Sequence, residues 1–191
     1  MSDEIIRSFI AIDIASQETL NEILTFQKML LDTRADLKPV KGENIHITLR
    51  FLGEISSKLV VKISEEFKSL SFNPFEVSLQ GVGVFPNMKR INVVWVGINR
   101  GHLELVGVYS QVERILKKLG IPLNNRGFNP HITIVRVRSA KNKDGLEKAL
   151  MIMKNRKFGV FSVNTVKLKK SELTPNGPLY TTLAESKAIN M

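Results

Sequence analysis

The sequence predicts an α+β fold of two lobes related by a pseudo-two-fold axis, with antiparallel sheets facing a central cleft and helices outside. Apolar alternation marks short strands, 3.6-residue periodicity marks helices, and the two patterns interleave twice along the chain. Each half also carries one copy of nearly the same tetrapeptide, His46-Ile47-Thr48-Leu49 and His131-Ile132-Thr133-Ile134, 85 positions apart. With 191 residues, 43% of them apolar, and no low-complexity tract, the chain suits one bilobal domain over residues 1–191. A chain of this size buries about 70% of its unfolded surface without disulfides or metals.

Ile5 to Ile14 alternate as a strand, and Gln17 to Leu31 form an amphipathic helix behind a Ser16 cap. Asn44 to Leu52 make the first histidine strand, which Gly53 is expected to stop. Ser56 to Leu70 follow with Leu59, Val60, Ile63, Phe67 and Leu70 at helical spacing. Phe75 to Phe85 and Ile91 to Ile98 are two strands joined by a turn at Pro86-Asn87. A helix from His102 to Leu119 ends at Gly120 and Pro122, and the loop Pro122 to Pro130 leads into the second histidine strand, Ile132 to Val137. A helix over Lys143 to Asn155 precedes strands at Phe158 to Val163, Val166 to Leu173 and Leu179 to Leu183, the last two divided by Pro175-Asn176-Gly177-Pro178.

The chain has no cysteine, which removes disulfides, thiolate nucleophiles and thiolate metal sites and fits a reducing compartment. Its beginning, MSDEIIRSFIAIDIAS, places acids before a short apolar run interrupted by Arg7 and Asp13, unlike a signal peptide or a membrane span. A cytoplasmic protein without membrane attachment is expected. A net charge of +10 and a pI near 9.9 suit a polyanionic partner, although scattered lysines also serve solubility.

On a strand, His46 and Thr48 share one face while Ile47 and Leu49 share the other, and the second copy repeats the pattern. At this composition a given histidine meets the pattern with a probability of roughly 0.02, so two of three do so in roughly one chain in a thousand. Two imidazoles and two hydroxyls facing each other across a cleft suit a phosphodiester. One histidine deprotonates water, the other protonates the departing alkoxide, and the hydroxyls donate to non-bridging oxygens. Residue chemistry alone does not order the two histidines. His102 lacks a threonine two positions on and reads as an exposed polar residue. Gly81-Val82-Gly83 lacks the following helix and lysine of a phosphate-cradling loop.

His46 to Gly53, HITLRFLG, and His131 to Arg136, HITIVR, resemble the paired signatures of the two-histidine (2H) phosphoesterases. The likeness is greatest to the LigT-like RNA 2',3'-cyclic phosphodiesterases, also called 2'-5' RNA ligases. The opening RSFIAID, Arg7 to Asp13, and the approach Lys41-Gly42-Glu43-Asn44 share the resemblance, which spans the whole chain. It implies the 2H phosphoesterase fold and hydrolysis of an RNA-terminal 2',3'-cyclic phosphate to a 2'-phosphomonoester, with no cofactor and no metal. In that pattern His46 is the proton donor, His131 the proton acceptor, and Thr48 and Thr133 hold phosphate oxygens. The implied partners are RNA ends, tRNA fragments among them, met by a monomer. The same site would also join RNA ends through a 2'-5' link.

Arg136 stands where the family places a phosphate-binding arginine, yet strict alternation puts it on the face opposite His131. Arg50 falls on the His46 face and Arg7 in the shared opening, both as substrate-binding candidates. Phe51 and Phe9 are candidates for stacking on a base, although Phe51 shares parity with Ile47 and Leu49 and so reads first as core. Two other readings use the same residues: a phosphodiesterase acting on a small cyclic nucleotide, and a non-catalytic RNA-binding module.

Overall fold

The computed structural model describes residues 4–125, 127–175 and 177–189. Along the chain run β1 (Ile5–Asp13), α1 (Gln17–Asp32), β2 (Leu37–Pro39), β3 (His46–Ser56), α2 (Ser57–Glu66), β4 (Phe75–Asn87) and β5 (Arg90–Arg100). There follow α3 (His102–Lys118), β6 (His131–Val137), α4 (Lys143–Ile152), β7 (Lys157–Val163), β8 (Thr165–Thr174) and β9 (Gly177–Lys187). Strand order is β7-β4-β5-β6-β3-β1-β8-β9, with β2 added beside β6, and the pairings are antiparallel.

This order is nearly a palindrome about the two histidine strands. Each half runs strand, helix, histidine strand, helix: β1-α1-β3-α2 and β5-α3-β6-α4, with the short β2 and a 3-10 turn over Gly42–Asn44 interrupting the first. The halves meet where β3 touches β6 at a single registered pair, Ile47 opposite Ile132, both fully buried. So slight a ladder lets the sheet curl there into two lobes. Antiparallel pairing about that central pair directs His46 toward Thr133 and His131 toward Thr48.

Helices form where the sequence supplies caps and an apolar stripe. The Ser16 hydroxyl accepts from the Thr19 amide at 3.2 Å and the Ser56 hydroxyl from the Leu59 amide at 3.2 Å. Helix α1 buries Ile23, Phe26 and Leu30, and Phe26 meets Phe158 of β7 with ring centroids 5.4 Å apart. The first lobe's helix thus packs on the second lobe's strand. Thr19 Oγ1 donates to the Val160 carbonyl at 3.0 Å. Gly159, at φ +110°, leaves room for that contact, because a Cβ there would lie 2.6 Å from the hydroxyl.

Several expected boundaries move. Gly53 does not stop β3; it takes φ +73° and the strand continues to Ser56, paired with β1. The β4–β5 turn falls at Met88-Lys89 instead of Pro86-Asn87, because the Asn87 side-chain oxygen accepts from the amides of Lys89 (3.0 Å) and Arg90 (3.1 Å). Helix α2 ends at Glu66 and gives way to a 3-10 turn over Phe67–Ser69, α4 ends at Ile152, and β9 is an 11-residue strand instead of a short one. The short β2 was not expected. Arg126 of the expected loop and Asn176 of the expected turn lie outside the described residues. Among the described residues no helix is long and apolar enough to cross a membrane.

Candidate active site

A cavity of about 520 Å³ opens between the lobes, and His46, Thr48, His131 and Thr133 all line it. The two tetrapeptides share more than their side chains. His46 Nδ1 lies 2.7 Å from the carbonyl of Asn44 and His131 Nδ1 lies 2.8 Å from that of Asn129, in each case two residues earlier. A carbonyl only accepts, so Nδ1 donates in both rings and Nε2 is the nitrogen left for chemistry.

Each strand also bulges at the same place. In β3, Thr48 pairs with Ala11 and Arg50 with Ile10, leaving Leu49 as an extra residue; in β6, Thr133 pairs with Trp95 and Val135 with Val94, leaving Ile134 extra. A bulge inverts the facing of everything after it. Arg136 therefore returns to the cavity despite its parity, and Phe51 occupies the corresponding place in the first strand. Phe51 is 68% exposed and lines the cavity, which corrects its reading as core.

The same inversion removes Arg50. It does not line the cavity; its Nε lies 3.1 Å from Glu113 Oε1 on α3 and its Nη2 donates to the Pro122 carbonyl at 2.6 Å. Arg50 is thus a strut and not a substrate contact. Glu113 Oε2 in turn accepts from the Asn124 amide at 3.1 Å, so the pair ties the first histidine strand to the loop that delivers His131. At the equivalent place in β6 stands Val135, fully buried. The carbonyl freed by the second bulge is also satisfied: that of Ile134 accepts from Gln27 Nε2 at 2.7 Å and from the Val40 amide at 2.8 Å.

Phe9 lines the cavity but is only 3% exposed, because it is packed against His46 (5.0 Å), Tyr180 (4.8 Å) and Phe51 (6.1 Å). It has no free face for a base and serves as the wall behind His46. Arg7 is exposed at the cavity edge.

His46 sits deeper in packing than its partner. Tyr180 meets it edge-on at 5.6 Å, and Nε2 lies 2.9 Å from Thr48 Oγ1. Burial pushes His46 down to about 4; the ammonium of Lys169 and His131 add to that fall, while the Asn44 carbonyl and the Asp13 carboxylate oppose it. At neutral pH the ring is uncharged, Nε2 carries no proton, and the Thr48 hydroxyl donates to it. Asp13 stands opposite His46 in the β1–β3 ladder and is clasped by Lys169 Nζ (2.5 Å) and Lys167 Nζ (3.0 Å). Burial alone would raise its carboxyl, but the two ammoniums overcome this and hold it below the usual value. His131 is flanked by Phe85 (4.9 Å) and Trp95 (6.1 Å). Trp95 in turn lies on Gly83, where a Cβ would fall 2.1 Å from the indole, so this glycine serves aromatic packing.

Several lining residues were not expected. Tyr180 arrives from β9, which is anchored beside His46 by Asn44 Nδ2 donating to the Pro178 carbonyl at 2.8 Å. Lys38 and Lys41 line the rim, as does the buried Ser8, whose hydroxyl has no hydrogen-bond partner among the described residues. Nothing local in the sequence brings these to the histidines, since the sheet order does so. Among the described residues no group of three or more His, Cys, Asp or Glu is placed to hold a metal ion.

The sequence pattern of the family described as LigT like Phosphoesterase matches residues 12–95 and 98–180, one stretch for each histidine motif. The chain is similar to the RNA 2',3'-cyclic phosphodiesterase of Aeropyrum pernix, 42% identical over 158 residues that cover 83% of this chain and 90% of that one. It is also similar to the RNA 2',3'-cyclic phosphodiesterase of Aquifex aeolicus, 33% identical over 185 residues, covering 95% and 97%. Among solved structures, Escherichia coli LigT complexed with 3'-AMP superposes with a TM-score of 0.80 at 24% identity, covering 98% of this chain and all of that one, and so shares the fold.

Proposed function

Because the chain belongs to the LigT-like phosphoesterase family, we infer that it hydrolyses RNA-terminal 2',3'-cyclic phosphates to 2'-phosphomonoesters by metal-independent acid-base catalysis. One observation carries the reading: two histidines, each oriented by a carbonyl two residues earlier, turn Nε2 into one cavity beside two threonine hydroxyls and Arg136.

In this reading the cyclic phosphate lies between the histidines. His131 Nε2 accepts a proton from water as its oxygen attacks phosphorus, the bond from phosphorus to O3' breaks, and His46 Nε2–H protonates O3'. The product carries a 2'-phosphate and a 3'-hydroxyl. Thr48, Thr133 and Arg136 donate to the non-bridging oxygens, where charge builds in the transition state. Arg7, at the cavity edge, adds positive charge for the incoming RNA. The exposed ring of Phe51 offers a face on which the terminal base stacks. The resting His46 lacks the proton it must give, and the bound phosphate supplies the negative charge that lets it take up one. With a 5'-hydroxyl in place of water, the same groups in the same roles join a 2',3'-cyclic end to that hydroxyl through a 2'-5' link.

We further propose that the two lobes act as one domain over residues 1–191, that a monomer suffices because one chain builds the whole cavity, and that the substrates are cytoplasmic RNA ends such as tRNA fragments. The test is incubation of a short RNA ending in a 2',3'-cyclic phosphate with wild type, His46→Ala and His131→Ala in EDTA, with the phosphate position of the product identified. A 2'-phosphate made by wild type alone is expected. Activity abolished by EDTA and restored by a divalent ion, or a 3'-phosphate product, overturns the reading.

A further inference from the structure

A second cleft, of about 290 Å³, lies beyond the far end of β6 and is lined by Lys89, Arg90, Arg138, Lys141 and Lys143. Lys143 is already engaged, with Glu147 at 3.1 Å and the Lys89 carbonyl at 2.9 Å. Among the described residues Lys89, Arg90, Arg138 and Lys141 have no carboxylate partner, and all four are exposed. The nearest acid in sequence is Asp144, in the first turn of α4. Four unneutralised cations held around one concavity repel one another and focus a positive potential that a polyanion relieves.

The cleft lies further along the strand that carries His131. Arg138 follows the last residue of β6, two positions beyond Arg136, which lines the first cavity. Lys38 stands opposite Arg136 on β2 and lines the first cavity as well, so cationic side chains border both the first cavity and the second cleft. From His131 to Arg138 the strand covers about 20 Å, which a single RNA strand crosses in several nucleotides.

We propose that this cleft binds backbone phosphates of the RNA substrate several nucleotides 5' of its cyclic end. The proposal rests on the phosphodiesterase reading and extends it: the terminal nucleotide is recognised for chemistry, and the upstream backbone supplies affinity without regard to sequence. Short cyclic-ended fragments would then be bound more weakly than long ones but turned over at the same kcat.

The test compares a dinucleotide and a decamer, each ending in a 2',3'-cyclic phosphate, with wild type and the Arg90→Ala/Arg138→Ala double variant. Both arginines are exposed, so the variant is expected to fold. The expected result is a decamer KM raised about tenfold at unchanged kcat, unaltered dinucleotide kinetics, and a salt dependence of decamer KM shallower by about two phosphate contacts. An unchanged decamer KM, or equal losses on both RNAs, overturns the proposal while leaving the phosphodiesterase reading intact. Failure of wild type to hydrolyse either RNA overturns the reading itself and the proposal with it.

Discussion

The two histidine strands have the same backbone and different neighbours. Both present histidine and threonine, both hold Nδ1 on the carbonyl two residues earlier, and both bulge one residue after the threonine. After the bulge they diverge. The inward place holds Phe51 in one strand and Arg136 in the other, and the outward place holds the ion-paired Arg50 in one and the buried Val135 in the other. A duplicated backbone therefore places the two histidines alike, and in the proposed function the unequal side chains divide the remaining work: a base face on one side, phosphate charge on the other.

Symmetry in the proton-handling pair predicts equal and large losses. His46→Ala and His131→Ala should each lower kcat by about 10²- to 10⁴-fold while thermal melting shows the fold retained. A loss confined to one of them would break the equivalence of the two motifs.

The outward places should differ in stability. Glu113→Ala strands the Arg50 charge, whose side chain is only 13% exposed, and should cost about 3 kcal/mol in a urea titration. The joint change Arg50→Met/Glu113→Leu should cost much less, because no charge is left alone. A similar cost for both would mean that packing, not the ion pair, holds this strut.

The inward places should separate binding from chemistry. Arg136→Ala removes a donor to the charged transition state and should lower kcat/KM by about a hundredfold, mainly in kcat. Phe51→Ala removes a stacking face and should raise KM by about tenfold at constant kcat. Exchange of these signatures would reverse the division of labour.

A further effect concerns His46 alone. Its pKa falls from 6.5 in the unfolded chain to about 4 when folded, so the unfolded chain takes the proton first as pH drops. Stability is then full above pH 6.5 and declines toward pH 4, a slope that His46→Gln should flatten in urea midpoints. The limb of activity that falls with rising pH should also lie higher for kcat than for kcat/KM, because the bound phosphate raises this histidine. Coincident limbs would show that the phosphate does not charge His46.

Much of this was legible in the sequence. The paired tetrapeptides gave the histidine strands and the threonine faces, and periodicity gave the four helices. The bulges were not legible, because an extra leucine or isoleucine among apolar neighbours looks like ordinary alternation. They also place Phe51 at the cavity, where parity predicts core, and Arg50 away from it, where parity predicts the cleft. The misfit of Arg136, phosphate-binding by motif but wrong by parity, was the one sign that the ladder slips between Thr133 and Arg136. Tyr180 and Lys38 reach the cavity through sheet order, which no local pattern encodes. The turn at Met88-Lys89 depended on a side-chain acceptor, Asn87, outweighing a proline signal one residue earlier.

The central claim is that the two matched histidines have different duties, His46 as acid and His131 as base. A leaving group that needs no proton tests this directly. On an RNA 2',3'-cyclic phosphate in which sulfur replaces the bridging O3', so that a thiolate departs, kcat/KM should recover toward the wild-type value in His46→Ala and remain depressed in His131→Ala. Equal recovery in both variants, or recovery in His131→Ala alone, would contradict the assignment.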